Sequence, residues 1–160
     1  MPHETAAIPK RKRIALIAHD ERKQDLLEWA EYNKESLRRN LLYATGTTGA
    51  LLEKRLGLPV VSFMSGPLGG DQQIGAKIAQ GEIDFLIFFW DPLESHPHDP
   101  DVRALLRVAV LQNIPVATNR ATADFIFSSP LMDSAYERYV YDYASRLKHN
   151  RLIDLLQDGD

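Results

Sequence analysis

Five short apolar runs recur along the chain: Ile14–Ala18, Leu41–Ala44, Val60–Met64, Phe85–Phe89 and Pro115–Ala117. Each is apolar at nearly every position instead of alternating with polar residues. A strand with one wet face alternates, so runs of this kind are expected to be strands buried on both faces. Segments with helical periodicity separate them, and strand–helix alternation builds a parallel sheet covered by helices on both sides. A chain of 160 residues supplies one such domain with a core, and not two. The expectation is a single doubly wound α/β domain over residues 13–160 with a five-stranded parallel core. Residues 1–12 read as a polar N-terminal extension, with Lys10–Arg13 a solvated approach to the first strand.

The helices follow from caps and periodicity. Asp20 is placed to N-cap a helix running to about Leu37. A second follows Thr47 and stops at Gly57, where a left-handed cap is expected. A third begins near Asp71 or Gln72, carries Ile74 and Ile78 on one face, and stops at Gly81. Val102, Leu105, Leu106, Ala109 and Val110 form the stripe of a helix packed on a sheet. A fifth begins near Ala121. The tail holds a short strand at Tyr139–Tyr141 and a final helix through Leu155.

Several functions lose their basis at this stage. A net charge of −3 and a pI near 5.9 give no electrostatic reason to bind nucleic acid or anionic membranes, so any anionic ligand must be held by local features. With no cysteine there is no disulfide or thiolate chemistry. The longest apolar stretch, Phe85–Trp90, is far below the roughly 20 residues that span a bilayer. Met1–Lys12 has no apolar run of the signal-peptide kind, so a cytoplasmic protein is expected.

The unusual residues fall just after the strands. His19-Asp20 with Lys23 follows the first, Thr45-Gly46-Thr47-Thr48 the second, and Ser65 through Asp71 the third. Asp91, His96, His98, Asp99 and Asp101 follow the fourth, and Thr118-Asn119 the fifth. Ligands of open α/β sheets bind outside the carboxyl ends of the strands, so five polar loops at that one edge indicate a site.

Each loop has its own chemistry. Thr45–Thr48 joins a glycine and three hydroxyls to a helix start, which suits phosphate and equally suits an ordinary threonine cap. Ser65-Gly66 adds a hydroxyl and an amide beside it. Neither G-x-x-x-x-G-K-[ST] nor G-x-G-x-x-G occurs, so nucleotide readings lose their usual support. Lys23 places a cation in the first turn of a helix, against the dipole; it reads as the partner of a bound anion, which removes the conflict, or as a solvated lysine. Asp71 reads as an N-cap or as a base; beside a phosphate cradle a carboxylate opposes binding, and it has a use where a proton must be removed. The His96–Asp101 loop alternates His and Asp as metal sites do, without a recognised ligand spacing. It is read instead as His98 serving as donor or acid and Asp99 as a helix cap. His3 and His149 read as solvent-exposed.

These segments resemble the methylglyoxal synthases: Ala18-His19-Asp20 with Lys23, Tyr43–Thr48, Ser65–Gln73, Phe88–Pro92, Pro97–Asp101 and Ala117–Asn119, in order between about Ile14 and Pro130. The G-G-D-Q-Q and P-H-D-P-D segments are the most specific. The resemblance implies a five-stranded doubly wound domain, a homohexamer, inhibition by phosphate, and no cofactor or metal. It implies Asp71 as catalytic base, with His19, Lys23, Thr45, Gly46, Thr47, Thr48, Ser65 and Gly66 holding the phosphate and neighbouring atoms of the substrate. His98 would meet the carbonyl or hydroxyl end of the substrate, with Asp20, Asp91 and Asp101 as supporting acids. An arginine from a neighbouring subunit's tail would approach, Arg146 and Arg151 both qualifying.

The implied reaction converts dihydroxyacetone phosphate to methylglyoxal and inorganic phosphate through an enediolate, a bypass of glycolysis. Three rivals remain at this stage. A ligand-binding module, like the one ending carbamoyl phosphate synthetases, would have little use for Asp71, His98 and Asp101. A triose phosphate isomerase would share the base and retain the phosphate. A metal-dependent aldolase would employ the His/Asp loop.

Overall fold

The computed structural model describes residues 3–94 and 99–148. Its strands are β1 (His3–Ile8), β2 (Arg13–Ala18), β3 (Leu41–Thr45), β4 (Val60–Phe63), β5 (Phe85–Phe89), β6 (Val116–Ala117) and β7 (Tyr136–Tyr141). Its helices are α1 (Lys23–Tyr32), α2 (Lys34–Arg38), α3 (Gly46–Leu56), α4 (Gly70–Ala79), α5 (Asp99–Leu111), α6 (Arg120–Phe127) and α7 (Tyr143–Lys148).

The five expected strands form one parallel sheet in the order β4-β3-β2-β5-β6. The unbroken apolar character of the runs has a direct cause. Ile14, Leu16 and Ala18 enter one core with Leu26, Trp29, Leu52 and Ala123 from α1, α3 and α6. Their neighbours Ala15 and Ile17 enter a second core with Ile74, Ile78, Val102 and Leu105 from α4 and α5. In β5, Phe85, Ile87 and Phe89 face the first core, and Leu86 and Phe88 the second. Every position of β5, and every position of β2 after Arg13, is thus buried, as a doubly covered sheet requires. The chain runs outward from β2 to β3 and β4, then returns past β2 to β5 and β6. The switch point, where such sheets bind ligands, lies between β2 and β5.

Several helix expectations hold and others shift. The helix α3 ends at Gly57 in the left-handed conformation (φ 66°), and Ile74 and Ile78 of α4 are buried. Asp20 does not cap a helix to Leu37. A 3₁₀ turn at Asp20–Arg22 precedes α1, and Asn33 interrupts the run before α2. Asp99 stands inside the first turn of α5 instead of preceding it. The final helix beyond Lys148, including Leu155, lies outside the described residues, as does His149.

The Lys10–Arg13 cluster is a solvated approach only in its first half: Lys10 and Arg11 are exposed, Lys12 and Arg13 are not. Lys12 is fully buried, and its ammonium donates to the carbonyls of Pro9, Lys10 and Ser134 at 3.2, 3.3 and 2.8 Å. Its backbone N–H donates to Asn40 Oδ1. Burial holds the Lys12 pKa below the usual lysine value, against the opposing pull of Asp84 and Asp133. Arg13 makes a forked contact with Asp84, Nε to Oδ2 and Nη2 to Oδ1 both at 2.9 Å, and that bond raises the Arg13 pKa. Periodicity could not show this, because the shortest of these contacts is to Ser134, which is brought in from far along the chain.

Residues 3–8, polar by sequence, form a strand antiparallel to β7, His3 opposite Tyr141 and Ile8 opposite Tyr136. The tail strand is thus longer than the Tyr139–Tyr141 expected. His3 is exposed and stacks edge-on against Tyr139.

Asp84 is the buried carboxylate nearest Lys12, Arg13 and Arg138, the last of which burial also holds below its usual pKa. Asp84→Asn removes the ion-pair partner of Arg13 and a counter-charge that acts on Lys12 and Arg138. It is expected to destabilise the fold by about 2 kcal/mol, below the usual range for a broken buried pair because Arg13 is partly exposed. A melting curve lowered by roughly 4–8 °C checks this, and an unchanged one excludes an energetic role for the pair.

Candidate active site

A cavity of about 350 Å³ opens at the carboxyl edge of the sheet, beside the switch point. His19, Asp20, Lys23, Thr45, Gly46, Thr47, Thr48, Ser65, Gly66 and Asp71 all line it. Three of the five loops anticipated from sequence, those after β2, β3 and β4, therefore converge in space. Ile17, Ala18, Pro67 and Phe88 complete the wall, and sequence reasoning assigned none of them a role in the site. Strand periodicity carried the signal for Ile17 and Phe88: they end the face of β2 and β5 that meets the second core.

His19 sits immediately after β2, buried, and is tied to both central strands. Its N–H donates to the Phe89 carbonyl at 3.2 Å. Its ring packs edge-on against Phe88 with centroids 5.1 Å apart. The backbone N–H of Asp91 donates to His19 Nδ1 at 3.0 Å. A nitrogen that accepts carries no proton, so Nε2 is the ring's protonated nitrogen and can donate to an anion. Asp91 is buried but does not line the cavity. Its Oδ1 accepts from Leu93 N at 3.0 Å, shaping the turn whose amide orients His19.

Lys23 opens α1, and its ammonium pairs with the Asp20 carboxylate, which is itself largely exposed. The conflict between this cation and the helix dipole is therefore relieved within the chain, by an acid one turn earlier.

On the opposite wall α3 begins at Gly46. Thr45 holds the N-cap position with extended backbone, and its side chain makes no capping bond. The threonine-cap reading is thereby overturned. The Gly46 amide is engaged by the Met64 carbonyl at 3.2 Å. Thr47 and Thr48 thus bring first-turn amides, which the Thr45 side chain does not cap, together with their hydroxyls to the cavity wall. Uncapped amides at a helix N-terminus and a lysine opposite make an environment for a doubly charged group.

Asp71 is not an N-cap either. Gly69 holds that position of α4, and Asp71 stands in the first turn, 3% exposed. Its Oδ1 lies 3.1 Å from where a Cβ on Gly66 would stand, so the carboxylate rests directly on the Gly66 backbone. This is a carboxylate held within a few ångströms of the cradle, in a largely water-excluded corner.

Asp101 lies in the first turn of α5, partly exposed, and does not line the cavity. His96, His98, Arg151 and the side chain of Arg146 lie outside the described residues. Among the described residues no group of three or more His, Asp or Glu side chains is spaced to hold a metal ion, and no helix is long and apolar enough to cross a membrane.

Comparison with known proteins gives a consistent result. The family model of the MGS-like domain matches residues 25–118. A methylglyoxal synthase of Saccharophagus degradans is 59% identical over 143 residues, covering 89% of this chain and 93% of the relative. One from Leptospira interrogans is 56% identical over 142 residues, covering 89% and 96%. The crystal structure of methylglyoxal synthase from Elizabethkingia anophelis superposes with a TM-score of 0.86 at 52% identity, covering 92% of this chain and 97% of that one.

Proposed function

We propose, since the chain belongs to the methylglyoxal synthase family, that it converts dihydroxyacetone phosphate to methylglyoxal and inorganic phosphate. It is an enzyme of that family, and the finer assignments below extend from there. The observation that carries the reading is the buried Asp71 carboxylate resting on Gly66, at the rim of a phosphate cradle. A protein that only bound phosphate would gain by lacking it. An enzyme that must remove a proton from a phosphate ester needs it.

Asp71 takes a proton from the hydroxymethyl carbon, and the electron pair passes to the carbonyl oxygen as an enediolate. His98 and the Nε2–H of His19 are donors for the oxygens that gain charge. Lys23, Thr45, Thr47, Thr48, Ser65 and Gly66 hold the phosphate. The enediolate then expels phosphate as the bridging C–O bond breaks, and the enol left behind tautomerises to methylglyoxal. Expulsion requires that C–O bond to stand near perpendicular to the enediolate plane. The cradle thus orients the leaving group as well as binding it. Asp20 supports Lys23, Asp91 supports His19, and Asp101 is a supporting acid. A hexamer, control by phosphate, and a cytoplasmic setting belong to the same reading.

The test is incubation of the purified protein with dihydroxyacetone phosphate in phosphate-free buffer containing a chelator, with both products assayed. Equimolar methylglyoxal and phosphate are expected. Glyceraldehyde phosphate without phosphate release would identify an isomerase. Turnover abolished by the chelator would identify a metal-dependent enzyme, and saturable phosphate binding without turnover a sensor.

A further inference from the structure

The cradle and the base arrive on different segments, and one short stretch joins them. Met64 follows β4, an edge strand whose outer side has no sheet partner among the described residues. Its carbonyl accepts from Gly46 N, at the start of the cradle helix α3. Its N–H donates to the side-chain Oε1 of Gln73 at 2.8 Å, two residues beyond Asp71 on α4. The next carbonyl, that of Ser65, accepts from Gly70 N at 2.9 Å. The Met64–Ser65 segment is therefore gripped by the cradle on one side and by the base helix on the other.

We propose that Gln73 is a positioning residue: by accepting from Met64 N–H it fixes the register between the cradle at Gly46, Ser65 and Gly66 and the carboxylate of Asp71. This rests on the reading of Asp71 as base. The demand comes from the chemistry, since the cradle sets the orientation of the phosphate ester and Asp71 must meet a proton at the far end of the same small molecule. A slip of α4 against β4 leaves both parts intact and spoils only their relation. The Gln73 bond is solvent-facing. When it is removed, water replaces the acceptor at Met64 N–H, so the fold loses little and the register loses its latch.

Gln73→Met keeps the length and removes the acceptor, whereas Gln73→Glu keeps both. Gln73→Met is expected to lower kcat about tenfold or more, since small misplacements of reacting groups cost one to two orders of magnitude. Its dissociation constant for inorganic phosphate and its melting temperature should stay near those of the unaltered protein, and Gln73→Glu should recover most of kcat. An unaltered kcat in Gln73→Met overturns the proposal, as does failure of Gln73→Glu to recover. A loss of phosphate affinity in step with kcat also overturns it, by making Gln73 a prop of the cradle itself. Asp71→Asn is measured alongside. Full activity there overturns the assignment of the base, whereas an inactive Asp71→Asn with an unimpaired Gln73→Met overturns only the role of Gln73.

Discussion

Asp71→Asn is expected to lower kcat by about a thousandfold, the middle of the range that a positioned general base contributes. Asparagine matches the carboxylate in shape, so the contact with Gly66 is kept, and a neutral amide is less costly to bury than a charge. The fold should therefore persist. Inorganic phosphate should bind as tightly as before or more tightly, because the like charge beside the cradle is gone. Methylglyoxal release and phosphate affinity, measured on the same preparation, check the two halves together. An asparagine variant with full turnover would remove Asp71 from the mechanism. Parallel loss of turnover and phosphate binding would make it a scaffold of the cradle.

Gly70→Ala carries the largest structural effect. A Cβ on Gly70 would stand 1.9 Å from the Met64 carbonyl oxygen and 2.8 Å from its carbon, with Ser65 C at 3.0 Å. These are main-chain atoms, and the same carbonyl is held by Gly46. No side chain can rotate away, so relief requires α4 to move off β4. Such a displacement is expected to cost about 3 kcal/mol or more, at the upper end of overpacking penalties. It should lower the melting temperature by roughly 6–12 °C. Turnover should fall with it, because Asp71 is the next residue on the displaced helix. Thermal unfolding with an unchanged midpoint would show that α4 and β4 are not in rigid contact.

How much of this could be read beforehand follows from the range of the forces involved. The parallel sheet was legible because β2 and β5 bury both faces, and that requirement is written into each strand separately. The cavity wall was legible because ligands gather at the carboxyl edge of such sheets, so that His19, Thr45–Thr48, Ser65, Gly66 and Asp71 needed only their places after strands. Lys12 was misread because charge in a sequence signals solvent, and the Ser134 carbonyl that joins the local Pro9 and Lys10 carbonyls around its ammonium is brought there only by folding. Asp91 was legible as an acid near the site. That its backbone, and not its carboxylate, meets His19 depends on a turn geometry that residue identity does not encode. The caps failed for a related reason. Asp20, Asp71 and Thr45 are all good cap residues by type, yet none caps a helix: Asp20 pairs with Lys23, Asp71 packs on Gly66, and Thr45 lines the cavity.

The pairing of β1 with β7 joins segments near opposite ends of the sequence, with the whole parallel sheet between them. Lys12 rivets that ribbon to the body through Ser134, and Asn113 does so through the Tyr139 carbonyl. The described chain is thus a nearly closed ring. Closing so long a loop from the disordered chain is entropically costly, though only logarithmically more so than closing a shorter one. Once the sheet stands, its bulk has already brought the two strands near each other, and little remains to be lost. Neither terminal strand can then fray alone, since the release of one strips the other of its partner.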